Sequence, residues 1–160
     1  MNECHPFPLM RFSLVRLALA LAALAMLAGC ATLDVDSGDP ERLAAAERFY
    51  VEKLPADERG IEHVIAQELR AMNYDATSGP RRDALDNVDV LVTYQDRWAW
   101  DITMYMRRLD IQFRDPETRE AWATGTAERG SLNRKQPGEF AREILEPMTG
   151  QSADSNASGE

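Results

Sequence analysis

The chain has 160 residues, 44% of them hydrophobic, and carries 18 Lys and Arg against 27 Asp and Glu for a formal charge of −9. That length fits one ordinary domain. The acidic balance excludes nucleic acid as a partner, because such affinity comes largely from Lys and Arg neutralising phosphates.

The chain order starts with an address. Arg11 and Arg16 flank Phe12-Ser13-Leu14-Val15, and from Leu17 to Leu27 only Leu, Ala and Met occur. A charged segment followed by a short apolar run is the pattern of a secretory signal, and about 20 apolar residues would be needed to span a bilayer. Met10-Arg11-Phe12 opens such a segment better than the acidic, proline-containing Met1 to Leu9, so Met10 is a candidate start. At the end of the run stand Leu27-Ala28-Gly29-Cys30. This resembles the lipobox of bacterial lipoproteins, and the resemblance implies cleavage before Cys30 and acylation of its thiol. Removing residues 1–29 takes away Arg11, Arg16 and Glu3, leaving 131 residues and a charge of −10. One fourteen-carbon chain binds a membrane only marginally, whereas two or three hold it stably. Ala31 stands where inner-membrane lipoproteins carry Asp, so the resemblance implies the periplasmic face of the outer membrane.

Residues 30–41 read as the acylated cysteine and a polar, turn-rich spacer, 42–148 as the folded domain, and 149–160 as a disordered tail. Phe49, Tyr50, Val51 and Leu54 predict a first strand ending at Pro55. Asp57 is a candidate N-cap, and Ile61, Val64, Ile65, Leu69 and Met72 share one face of a helix over 58–73. The segment from Asn73 to Asp83 reads as an exposed loop. Val88, Val90, Val92 and Tyr94 alternate inward on a second strand. Tyr105, Leu109, Ile111 and Phe113 do so on a third, with the opposite parity. That switch predicts a hairpin between Gln95 and Thr103, with its tip near Trp100. Asp115-Pro116 predicts a turn into a fourth strand over 120–128, whose Ala121, Ala123, Gly125 and Ala127 let a helix approach. A last helix carries Phe140, Ile144 and Leu145. The order β-α-β-β-β-α predicts an α+β fold, a two-layer sandwich with a mainly antiparallel sheet and two helices on one face.

Three stretches, Glu68-Leu69-Arg70-Ala71-Met72-Asn73-Tyr74, Val88-Asp89-Val90-Leu91-Val92-Thr93-Tyr94, and Leu109 through Asp115-Pro116-Glu117-Thr118 to Trp122-Ala123-Thr124-Gly125-Thr126-Ala127, resemble the bacterial lipoproteins grouped as domain of unknown function 4136. The resemblance covers about two-thirds of the mature chain and implies fold and location, with no catalytic residues. Asn73 stands where members of that group carry glycine, and Trp98-Ala99-Trp100-Asp101 lies outside their pattern.

No cofactor or metal site is expected. His63 is the only histidine after Cys30, and with Cys30 acylated no free thiol remains, so a zinc ligand set is lacking. Trp98 and Trp100, set among Asp96, Arg97 and Asp101, form a candidate partner-binding surface, an aromatic centre in a polar rim. The reading is a lipid-anchored binding or structural module with an envelope protein partner and no enzyme activity. The alternatives are an envelope hydrolase using Asp96 and Asp101 as paired carboxylates, or an accessory lipoprotein of a lipid or lipopolysaccharide transport system.

Overall fold

The computed structural model describes residues 31–83 and 85–151. The leader 1–29, Cys30 and residues 152–160 lie outside them. One six-stranded mixed sheet carries its helices on one face, so the chain has the α+β architecture expected.

The chain enters as strand β1 (Thr32–Asp36), which pairs antiparallel with β6 (Ala121–Glu128). A short helix, α1 (Pro40–Ala44), follows, capped by the Asp39 carboxylate. The segment read as a spacer is thus an edge strand and part of the domain. Its Thr-Leu-Asp-Val-Asp sequence keeps polar residues because one edge and much of both faces meet water. At the other end Thr149 is buried and the Gln151 side chain donates to the Met72 carbonyl, so the tail read as 149–160 begins inside the fold.

Strand β2 (Arg48–Glu52) buries Phe49 and Val51 toward the helices. Tyr50 points to the opposite face. There its hydroxyl donates to the Pro80 carbonyl at 2.7 Å, and the Arg82 guanidinium lies over its ring. Helix α2 (Ile61–Ala71) starts three residues later than the sequence suggests. Asp57 does cap it, but from a distance, accepting from the backbone N–H groups of Arg59, Gly60 and Ile61 while Gly60 turns through φ 72°. The chain leaves the helix through Asn73, whose φ of 69° is left-handed backbone that suits glycine and, next best, asparagine.

Asp75–Gly79 then forms β3 and pairs parallel with β2. The expectation of a loop fails here because an edge strand of Asp-Ala-Thr-Ser-Gly buries only Ala76 and shows no apolar alternation. β2, α2 and β3 make a β-α-β unit, and β2 also pairs parallel with β4 (Val90–Asp101). The rest is antiparallel: β4 with β5 (Thr103–Arg114), and β5 with β6, giving the order β1-β6-β5-β4-β2-β3. Helix α3 (Pro137–Met148) closes the layer. A reciprocal box between Gln136 and Glu139 caps it, and it lies so close to β6 that a Cβ on Gly125 would meet Ile144 at 2.4 Å. Phe49, Ile65, Leu69, Val92, Ile111, Phe113, Phe140 and Ile144 fill the space between sheet and helices.

Candidate functional site: the β4–β5 hairpin

β4 and β5 are longer than their neighbours. β2 accompanies β4 only to Val92, and β6 accompanies β5 only from Arg108 onward, so residues 98–107 project as a two-stranded ribbon. The chain reverses at Asp101-Ile102-Thr103, two residues beyond the expected tip at Trp100.

The parity switch has a different origin from the one the sequence suggests. Near the body even positions pair with odd ones, Val92 with Phe113 and Tyr94 with Ile111. Beyond a bulge even pairs with even, Trp98 with Met106 and Trp100 with Met104. Arg107 is the extra residue, squeezed out opposite the Arg97–Trp98 step. The bulge, and not the turn, moves the inward face from even to odd along β5. Met106 is consequently buried, while Tyr105, expected inward, is half-exposed beneath the Arg134 guanidinium at 4.5 Å.

The two tryptophans therefore share a face but not a role. Trp98 packs against the edge of the core, donates its Nε1–H to Asp96 and carries the Arg59 guanidinium 4.5 Å above its ring. Trp100 is 71% exposed. Ile102 and Leu132 are each 86% exposed and Met104 45%, so the tip presents large apolar side chains to water. Arg134 fixes the loop that carries Leu132 onto this tip, donating to the Asp101 carboxylate at 3.1 Å and to Thr103 Oγ1 at 2.8 Å. Arg97 is exposed and stands directly across from Arg108.

Asp96 and Asp101 are not brought together as a carboxylate pair. Five positions apart on one strand, they fall on opposite faces and are engaged separately, Asp96 by Trp98 and Asp101 by Arg134. His63 is exposed, 2.8 Å from Ser78 Oγ through its Nδ1. Among the described residues no group of three or more His, Cys, Asp or Glu side chains could hold a metal ion, and no helix is long and apolar enough to cross a membrane.

Sequence reasoning missed a buried polar cluster at the base of the hairpin. Tyr94 donates its hydroxyl proton to Asp57 Oδ2 at 2.7 Å and accepts from the Leu54 N–H. Glu62, only 2% exposed, lies 3.4 Å from the same hydroxyl. Burial and the Asp57 hydrogen bond push the Tyr94 phenol up. Burial alone would raise Asp57, yet the bonds from Tyr94 and from the Arg59 and Ile61 N–H groups hold it below its ordinary value. The cluster fastens the 54–60 loop, and with it Arg59, beside Trp98. A tyrosine at an inward position was the available signal, since a buried phenol needs a partner.

The opposite face of the sheet holds a shallow cavity of about 230 Å³ lined by Thr93, Tyr94, Gln95, Asp110, Gln112 and Arg114. Its polar groups mostly bind one another: Arg114 donates to Thr93 and Gln112, and Arg108 and Thr126 donate to Asp110.

No protein-family model matches the sequence, and no curated protein matches it either. Solved structures do resemble it. A leucine-to-methionine variant of PelC from Paraburkholderia phytofirmans, a dodecamer, is 16% identical and superposes with a TM-score of 0.56 over 73% of this chain and 98% of that one. The PelC dodecamer from the same organism gives 0.53 at 16% identity, over 74% and 94% of the two chains. Likeness at that identity is likeness of fold.

Proposed function

We propose that this chain is a lipid-anchored binding or structural module of the bacterial envelope, tethered through acylated Cys30 on the periplasmic face of the outer membrane, with the β4–β5 hairpin as its contact surface. The observation that carries the reading is the tip: Trp100, Ile102 and Met104 are held in water on a ribbon stiffened by Arg134 and by the Trp98–Arg59 stack. Such a surface contributes little to folding and has the composition of a contact site. The Leu27-Ala28-Gly29-Cys30 sequence supports the tether. That PelC, with the same fold, is a dodecamer supports a module that works by contact.

Cys30→Ser tests the tether, because only a thiol can take the lipid. The variant should accumulate as an uncleaved precursor and leave the outer-membrane fraction. Normal processing with retention in that fraction would overturn the reading.

A further inference from the structure

The place where the chain enters the sheet bears on what the hairpin touches. β1 opens on Thr32 opposite Glu128, Glu128 pairs with Arg108, and Arg129 donates to the Thr32 carbonyl at 2.9 Å. Thr32 thus stands level with the base of the ribbon, at the end of the sheet from which the ribbon projects. From Arg97 to Ile102 the strand extends about 16 Å at ~3.3 Å per residue. Cys30 is two residues upstream of Thr32, so chain length keeps it within about 7 Å. A lipid on Cys30 draws that end of the sheet to the bilayer, and the ribbon reaches further than the tether is long.

The tip residues agree. Ile102 occupies the turn at φ 61°, a conformation that glycine or asparagine adopts easily and a β-branched residue only under strain. An isoleucine both strained and exposed serves something other than the fold. Trp100 beside it is the residue type favoured where headgroups meet acyl chains.

We infer that Trp100, Ile102 and Met104 insert into the same leaflet that holds the acyl chains of Cys30, so that the domain is fixed to the membrane at two points and keeps one orientation. This rests on the tether proposed above.

The test uses the full lipidated chain in vesicles of phosphatidylethanolamine and phosphatidylglycerol. With Cys30 acylated and the leader gone, Met104→Cys supplies the only free thiol, which is labelled with an environment-sensitive fluorophore. Glu117→Cys, at the opposite end of the sheet, is the control. Intact mass reports the acylation of Cys30 independently. Emission from position 104 should shift to the blue and be quenched by brominated lipid, with position 117 still quenched by aqueous iodide. Adding Ile102→Asn, which relieves backbone strain and so preserves folding, should remove the lipid quenching. An acylated protein whose position 104 answers only to iodide overturns the insertion and leaves the tether standing. Protection from both quenchers overturns it in favour of a second copy or another protein on the tip. A mass without acyl chains removes the tether and the insertion with it.

Discussion

Ile102 carries a strained backbone and an unburied side chain at once. Replacing it by asparagine should stabilise the domain by roughly 1 kcal/mol, the scale of the left-handed penalty for an ordinary residue. Thermal melting reads this directly, and a lower melting temperature would mean that the side chain packs within the fold. Asp89 is the converse case. It accepts from the Glu47 and Arg48 N–H groups and from the Arg48 guanidinium, tying the start of β2 to the start of β4. The Arg48 side-chain bond is the main force holding its carboxyl down at about 2. A carboxyl depressed in the folded state stabilises it fully above the unfolded value of about 3.9, and the contribution fades as pH falls through the folded value. Asp89→Asn should therefore lower the melting temperature at neutral pH by an amount that shrinks between about pH 4 and pH 2. A pH-independent difference would assign the effect to shape and not to charge.

Along the hairpin, sequence parity detected a change of face but put it between Gln95 and Thr103, at the turn, when it lies at Arg107 within β5. Alternation reports only that the inward positions shift from even to odd, and a one-residue bulge at Arg107 produces the same shift as a turn. The bulge leaves no mark of its own in the sequence, because the inserted arginine is as suited to a strand surface as its neighbours. The same ambiguity hid the difference between the tryptophans, which alternation places on one face without saying where the helical layer stops. Trp98→Ala should lower stability, by less than the ~3–5 kcal/mol of a fully buried ring. Trp100→Ala should leave melting unchanged. Comparing the two single variants checks this, and equal losses would place both rings in the core. Glu68 shows another limit of periodicity. It lies beside the apolar stripe of α2 and reads as a surface residue, yet it is buried against α3, where Arg142 donates to it at 2.9 Å.

Over the whole molecule, the central elements were legible because β2, α2, β4, β5, β6 and α3 each bury a periodic apolar face. The two edge strands were not, since β1 and β3 are short and polar and take their place from hydrogen bonds to a neighbour whose position a sequence does not state. Deleting Thr32–Asp36 should lower the melting temperature and, by exposing the β6 edge, cause association that rises with concentration. Melting and light scattering measure both, and a deletion variant as stable and monomeric as the parent would make β1 an ornament. The direction of β1 matters in one more respect. A pull on the chain upstream of Thr32 acts along the axis of β1, parallel to its partner β6, so the five paired residues are loaded together in shear and cannot open one after another from the end. Were Cys30 acylated as proposed, tension at that tether would meet the domain in its mechanically strongest direction.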